Sequence, residues 1–167
     1  MKTRKIAELG LLTALAIILG WVEHLLPIVP AVPGIKLGLG NIVVVFSLYR
    51  FGKKEAAMIS AAKVMLSALI FGSISGLIYS ASGAIVSFFV MCILYKLSTV
   101  SSIGVSAGGG AAHICAQLCV AMIITATPQL WRILAPLLLT GTLTGALNGL
   151  LNNILIKKIP EAKEYKG

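Results

Sequence analysis

The chain of 167 residues contains no aspartate, five glutamates and two histidines. It has no Asp, Glu, Lys or Arg over the 32 residues 64–95 or over the 35 residues 97–131. Because about 20 apolar residues span a bilayer, each stretch must hold at least one membrane helix. With 58% hydrophobic and 11% charged residues and a mean hydropathy of +1.00, the composition excludes a water-soluble protein.

Cysteine is also scarce, and its spacing carries no metal or redox motif. Cys92, Cys115 and Cys119 lie in apolar segments without a C-x-x-C pair, as is typical of small buried hydrophobic residues. The net charge of +9 comes from basic residues at the ends of segments rather than along one face. We therefore expect a bilayer-embedded protein with no metal, no cofactor and no nucleic-acid partner.

Six apolar segments separated by charged or turn-forming residues predict an all-α integral membrane protein. We expect a single domain, 1–167, built as a bundle of six transmembrane helices. The second segment has only 13 uncharged residues between Lys36 and Arg50, so we expect it to be tilted, half-inserted or packed within the protein. The predicted spans are 6–26, 37–52, 55–71, 77–97, 104–125 and 130–156.

The distribution of Lys and Arg predicts the orientation, because positive residues are retained on the cytoplasmic side of a membrane. Six spans with both termini inside place eleven of the fourteen Lys and Arg residues in the cytoplasm. Lys36 and Arg132 then face outward, and Lys63 lies within the membrane. The sequence thus predicts a multi-pass protein of the cell membrane with cytoplasmic N and C termini.

Polar residues inside apolar segments are the first candidates for a binding site, because each is costly in hydrocarbon. Lys63 lies midway along its segment, so it either pairs internally, with Glu23 or backbone carbonyls, or contacts an anionic solute. His113 and Gln117 are four residues apart and share one helix face, where they either line a cavity or form interhelical hydrogen bonds.

Other polar residues have weaker functional interpretations. Asn148 and Asn152 show the same i, i+4 spacing on the last segment, and there we favour helix packing. Glu23 and His24 lie at the end of the first segment, where they either cap the cavity or sit in the wet interface.

Small residues recur at helical spacing, as in Gly10-x-x-x-Ala14 and the run from Ala107 to Ala112. Such spacings let helix backbones approach closely in lipid. The sequence leaves open whether these faces pack within the chain or against another subunit.

Three motifs carry a resemblance to a known family. They are Pro33-Gly-Ile-Lys-Leu-Gly-Leu-Gly-Asn41, Phe71-Gly-Ser-Ile-Ser-Gly-Leu-Ile-Tyr-Ser80 and Gly104-Val-Ser-Ala-Gly-Gly-Gly-Ala-Ala-His113. In this order the motifs resemble the bacterial Gx transporter family, also known as heptaprenyl diphosphate synthase component I. Where the family has His-Asn-x-Gly-Gln, this chain reads His113-Ile-Cys-Ala-Gln117, which keeps only the outer polar pair.

That family is in turn similar to the substrate-binding (S) components of energy-coupling factor transporters. The resemblance implies a solute site near the outer face and a first helix whose small residues, Gly10 and Ala14 here, meet a transmembrane coupling subunit that works with ATPases. The solute-binding residues expected from the polar pattern and the resemblance together are Lys36, Asn41, Lys63, Tyr79, His113, Gln117 and Arg132.

Two functions remain open at this point. The first is an S-component-like membrane subunit that binds a small anionic or amphipathic solute and is energised by partners. The second is a non-transporting accessory subunit in polyprenyl or quinone metabolism or membrane electron transfer. An independent synthase is disfavoured, because prenyl elongation of the usual kind needs aspartate-rich clusters that hold Mg²⁺.

Overall fold

A computed structural model describes residues 3–25, 38–71 and 74–159 of the chain. Within these residues every regular element is helical, as the apolar segments predict. The proline-rich stretch 27–34 and Lys36 lie outside the described residues. The helices are α1 (Thr3–His24), α2 (Asn41–Arg50), α3 (Lys53–Phe71), α4 (Ile74–Lys96), α5 (Ser102–Ile124), a 3₁₀-helix (Pro128–Ile133) and α6 (Leu134–Lys158).

The last segment differs from the expectation of one continuous helix over 130–156. The six residues Pro128–Ile133, which include the first four of the predicted span, form the 3₁₀-helix, and α6 begins only at Leu134. Pro136 lies in the first turn of α6, where a proline is tolerated because the backbone amide would have no partner within the helix.

Contacts between helix ends show that successive helices run in opposite directions. Lys5 on α1 donates a hydrogen bond to Glu55 on α3 at 2.7 Å, and the rings of Tyr49 on α2 and Tyr95 on α4 meet edge to face at 4.9 Å. Arg50 bonds the carbonyl oxygen of Ile159, just after α6, at 3.2 Å. One end of the bundle therefore holds the starts of α1 and α3 and the ends of α2, α4 and α6.

Most of the described basic residues lie at that end, which we call the basic end. Of the ten Lys and Arg residues that the structure describes, Lys63 lies within α3 and Arg132 lies in the 3₁₀-helix at the opposite end. The other eight make up the basic end: Arg4, Lys5, Arg50, Lys53, Lys54, Lys96, Lys157 and Lys158.

Glycines create the tightest helix contact in the bundle, where α5 crosses α6. A Cβ atom added to Gly110 would lie 2.2 Å from the carbonyl oxygen of Gly141, and one added to Gly145 would lie 2.5 Å from that of Ser106. Because the obstacles are backbone atoms, no side-chain movement could relieve them. These small residues pack within the chain, which settles for α5 and α6 the question that the sequence left open.

The small residues of α1 behave differently. Gly10 and Ala14 are exposed, and a Cβ atom on Gly10 would meet no atom within 4 Å. Ala16, on another face of the same helix, is fully buried. The Gly10-x-x-x-Ala14 face therefore points away from the rest of the described chain.

The shortness of α2 is explained by its surroundings. Seven of its ten residues are buried: Asn41, Val43, Val44, Val45, Phe46, Ser47 and Leu48. A helix buried on most of its faces has little contact with lipid, so it need not match the bilayer thickness. Of the three alternatives for this segment, the structure supports packing within the protein.

Within the described residues, four helical segments are long and apolar enough to cross a membrane: Thr3–Glu23, Gly76–Lys96, Ser102–Ile124 and Pro128–Lys158. Large apolar side chains point outward, including Leu69 and Ile74, which are 79% and 82% exposed. A surface of this kind is stable in lipid and not in water. The fold is thus that of a helical membrane protein.

Candidate functional site

A buried carboxylate holds the backbone just before α2. Glu23, near the end of α1, is 5% exposed and accepts hydrogen bonds from the amides of Gly38 and, at 3.2 Å, Leu39. Gly38 has a φ of +84°, in the left-handed region that glycine adopts without steric cost. Because a buried charge is tolerated only when it is paired or hydrogen-bonded, Glu23 and this turn stabilise each other.

Lys63 lies against the same turn from α3. Its ammonium donates a hydrogen bond to the side-chain Oδ1 of Asn41 at 2.9 Å. The backbone N–H of Asn41 donates to the carbonyl of Gly38 at 2.8 Å. A Cβ atom on Gly40 would lie 2.9 Å from the carbonyl oxygen of Ala16 and 3.2 Å from Cδ of Lys63. Glycine at position 40 therefore lets α1 and α3 approach the start of α2.

Two asparagines of α6 contact the same backbone from the other side. Asn148 Nδ2 bonds the carbonyl of Gly38 at 3.4 Å, and Asn152 Nδ2 bonds that of Ile42 at 3.0 Å. Both side chains are buried, and their i, i+4 spacing puts them on one face of α6. They connect α6 to α2 across 110 residues of sequence.

His113 reaches this region from α5. A Cβ atom on Gly83 of α4 would lie 2.6 Å from Cε1 of the imidazole, and one on Gly38 would lie 3.9 Å from its Cδ2. Gln117, one turn further along α5, is fully buried. The imidazole thus packs between α4 and the turn before α2, in space that Gly83 leaves open.

A narrow gap lies beside these residues, between α4, α5 and α6. It is too small to admit a water molecule. Ser87 is 1% exposed, and its hydroxyl has no hydrogen-bond partner within the described part of the chain. The residues lining the gap are Gly38, Asn41, Ser87, Met91, Ser106, Gly109, Gly110, Gly145 and Asn148.

We call the residues around this turn the polar centre: Glu23, Gly38, Leu39, Asn41, Lys63, His113, Asn148 and Asn152. Of their polar side chains, that of Lys63 is partly buried and the others are buried. Asn41 precedes Arg50 by nine helical residues, which is about 14 Å, and Lys63 follows Lys53 by ten, which is about 15 Å. These depths are about half the roughly 30 Å thickness of a bilayer core. Asn41 and Lys63 therefore lie about halfway along the bundle, whereas Glu23, 18 helical residues after Lys5, lies about 27 Å from the basic end.

The structure brings together some of the expected site residues. Asn41, Lys63 and His113 all belong to the polar centre, and Gln117 adjoins His113. Sequence reasoning interpreted Asn148 and Asn152 as packing residues, and their contacts with the backbone before and within α2 could not be read from spacing.

Two further polar residues, one in the polar centre and one lining the adjacent gap, were not among the expected solute-binding residues. Glu23 carries a signal in the sequence, because it is a carboxylate within an apolar segment. Ser87 carries none, since serine is common in membrane helices.

Two other expected residues lie elsewhere, and a third is not described. Tyr79 is buried in an apolar cluster with Ile114, Leu118, Ala121 and Leu137. Arg132 is exposed in the 3₁₀-helix, which packs on α5 and α6. Lys36 lies outside the described residues. Among those described, no three His, Cys, Asp or Glu side chains are grouped so that they could hold a metal ion.

The fold and this site define a helical integral membrane protein with a buried, hydrogen-bonded polar centre. Residues 12–155 match the family described as heptaprenyl diphosphate synthase component I. The match covers most of the chain, which therefore belongs to this family, and it confirms the resemblance carried by the three motifs. Comparisons with curated proteins and with solved structures found no match.

Proposed function

We propose that the chain is a non-catalytic membrane subunit that binds a small anionic or amphipathic solute at the polar centre. The observation that carries this proposal is the Lys63 ammonium, hydrogen-bonded to Asn41 about halfway along the bundle. A lysine there costs about 2.5 to 3.5 kcal/mol on insertion scales, and such residues are typical of solute pathways. The amides of Gly38 and Leu39 are already bonded to the carboxylate of Glu23, so Lys63 is the group that an anionic oxygen of the solute would contact.

We further propose that the basic end faces the cytoplasm. Eight of the ten described Lys and Arg residues lie there, and only Arg132 lies at the opposite end. The positive-inside rule favours this orientation, in which the start of α1 and the end of α6 would be on the cytoplasmic side.

The energy for transport would come from partners, and α1 offers a surface for one. Ala7, Gly10 and Ala14 are exposed at i, i+3 and i, i+4 spacing, so they share one face with neighbouring exposed apolar residues such as Leu11 and Ile18. Small residues let a second helix approach closely. A transmembrane coupling subunit that works with ATPases fits this face.

Mass spectrometry of small molecules extracted with the purified full-length protein tests the solute site. We expect the wild type to retain an anionic molecule and Lys63→Met to retain at least about tenfold less, because a hydrogen bond to a charged group is lost. Lys54→Met, on the same helix but exposed at the basic end, is the matched control. Equal retention by Lys63→Met and Lys54→Met would contradict the proposal.

A second candidate is an accessory membrane subunit of a heptaprenyl diphosphate synthase. Family membership favours it, since the family description names one component of a synthase. The gap beside the polar centre, too narrow for water, also suits a structural role. Affinity purification in mild detergent separates the two candidates. Recovery of a soluble prenyl synthase with the chain would favour the accessory subunit, and recovery of a membrane subunit with ATPases would favour the solute-binding subunit.

A further inference from the structure

A narrow gap and a wide groove lie on different sides of α4. The gap beside the polar centre, between α4, α5 and α6, is too small for a water molecule. The groove lies between α3 and α4, has a volume of about 450 Å³ and is rimmed by Met65 and Phe89, which are each 65% exposed. At 3.6 residues per turn, the groove-lining residues of α4 are centred about 120° around the helix from Ser87, which lines the gap. There is therefore room for α4 to move away from the gap.

The hydroxyl of Ser87 faces the gap. Ser87 is 1% exposed, and no group in the described part of the chain forms a hydrogen bond with its hydroxyl. A Cβ atom added to Gly109 of α5 would lie 3.2 Å from Oγ of Ser87, so the hydroxyl lies opposite α5. Because buried polar groups are nearly always hydrogen-bonded, this hydroxyl indicates a ligand that would share the gap.

The helices around the gap are not held equally. α5 and α6 meet through backbone atoms, since a Cβ atom on Gly110 would lie 2.2 Å from the carbonyl oxygen of Gly141. α4 meets α5 through side chains instead, since a Cβ atom on Gly109 would lie 2.6 Å from Cγ of Met91. A methionine side chain can change rotamer, whereas backbones in contact cannot adjust in this way. The gap is therefore opened most easily by movement of α4.

The lining of the gap favours a compact anion. Asn41 lines it and accepts the hydrogen bond from the Lys63 ammonium. Met91 has the one apolar side chain among the lining residues that the structure describes, and the others are glycine, serine and asparagine. A water-sized group needs a width of about 3 Å, twice the 1.4 Å radius of a water-sized probe. A small oxyanion would fit a gap widened by this amount, and a long hydrocarbon chain would not.

We propose that α4 is a movable wall of the solute site, which shifts by about 3 Å toward the groove when a compact oxyanion binds. One anionic oxygen of the solute contacts Lys63, and the Ser87 hydroxyl donates a hydrogen bond to a second oxygen. The proposal rests on the proposed function and narrows it, because it adds Ser87 as a binding residue and excludes a long apolar solute. The groove is then the space that α4 enters.

Ser87→Ala in the full-length protein tests the hydroxyl by two measurements. Mass spectrometry of the anionic molecules that co-purify with the protein should show about fivefold lower retention than in the wild type, because one hydrogen bond to the solute is lost. After exhaustive dialysis, Tm should rise by about 2 °C, because the variant lacks a buried hydroxyl that nothing in the described part of the chain bonds. The matched control is Ser82→Ala, since Ser82 on the same helix bonds the carbonyl of Tyr79 at 2.9 Å. Its retention should equal that of the wild type.

Ala61→Phe tests the movement of α4. Ala61 is exposed and lines the groove, so a phenyl ring there occupies the space without overpacking the core. Retention should fall about tenfold while Tm is not lowered, because only the fraction of molecules with α4 shifted can bind the solute. Ala81→Leu, on the opposite wall of the groove, should lower retention in the same direction. Ala135→Phe adds the same ring at an exposed position of α6 and should retain as much solute as the wild type.

The possible results separate this proposal from the proposed function. Wild-type retention in Ser87→Ala would remove the hydroxyl from the site, and wild-type retention in both groove-filling variants would overturn the movement of α4. Either result leaves the Lys63 site intact, whereas equal retention by Lys63→Met and Lys54→Met would overturn both proposals. A lower Tm of Ser87→Ala after dialysis would refute the role of the hydroxyl, and a retained molecule with a long hydrocarbon chain would contradict the compact site.

Discussion

The crossing of α5 and α6 predicts a large effect of a single methyl group. In Gly110→Ala the new Cβ would lie 2.2 Å from the carbonyl oxygen of Gly141 and 3.2 Å from the Cα of Gly145. Since non-bonded carbon contacts are favourable at about 3.5 Å, the two helices must separate by about 1 Å. Packing contacts along the whole crossing are then weakened.

The expected magnitude combines two opposing terms. Overpacking a tight core typically costs about 1 to 3 kcal/mol, and a backbone obstacle puts this site at the upper end. Alanine stabilises a helix by up to about 1 kcal/mol relative to glycine, which offsets part of this cost. We expect a net loss of about 2 kcal/mol in the free energy of unfolding, or roughly 4 to 8 °C in Tm for a chain of this size.

The control is the same substitution at Gly10, where a Cβ atom meets nothing within 4 Å. Gly10→Ala causes no overpacking and changes only the intrinsic helix propensity, so it should leave Tm unchanged or raise it. Thermal unfolding of both variants in one detergent, followed by circular dichroism, measures the difference. If Gly110→Ala proved as stable as Gly10→Ala, the glycine-mediated crossing of α5 and α6 would be refuted.

Three further predictions concern the polar centre and α1. Gly38→Ala should lower the free energy of unfolding by about 1 to 2 kcal/mol, because φ at this position is +84° and the new Cβ would lie 2.9 Å from Nδ2 of Asn41. An unchanged midpoint of urea or detergent denaturation would contradict the left-handed conformation of Gly38. Asn41→Leu should lower the free energy of unfolding by about 1.5 to 3 kcal/mol, because it removes a hydrogen-bond acceptor of the Lys63 ammonium. Adding Lys63→Met should restore much of that stability, and a double variant no more stable than the single one in the same denaturation assay would argue against the pair. Gly10→Ile should abolish co-purification of a membrane partner while leaving Tm within about 1 °C, since the side chain projects into open space; retention of the partner would remove α1 as its docking face.

The sequence was sufficient to predict the helices because lipid imposes a simple length rule. Uninterrupted apolar stretches had to be helical, and charged residues marked their ends. It was less informative where backbone conformation broke the rule: α2 begins only at Asn41, after a glycine in the left-handed region, although its predicted span began at 37.

The polar centre could be foreseen only in part. Lys63 and His113 were conspicuous because polar residues are rare in apolar segments, but their neighbours depend on tertiary packing. Asn148 bonds a carbonyl 110 residues away, and nothing in its local spacing indicates that partner. Arg132 looked equally suitable as a cation, yet it lies in the exposed 3₁₀-helix apart from the centre.

Small-residue spacing shows the same limit. Gly10-x-x-x-Ala14 and the glycine-rich run of α5 are equivalent as patterns, since both let helix backbones approach. The first faces outward and the second meets α6 at backbone distance. Which face of a helix turns inward is decided by the whole bundle and not by four residues.

The interdigitated glycines hold α5 and α6 together more rigidly than other contacts hold the rest of the bundle. Steric interlocking keeps that pair from sliding, whereas α2 is held by apolar packing of Val44, Val45 and Leu48 on α4 and α5 and by hydrogen bonds from Asn148 and Asn152 of α6. Sliding of α2 along α6 would therefore break the bonds to Gly38 and Ile42 while the glycine crossing stayed in place.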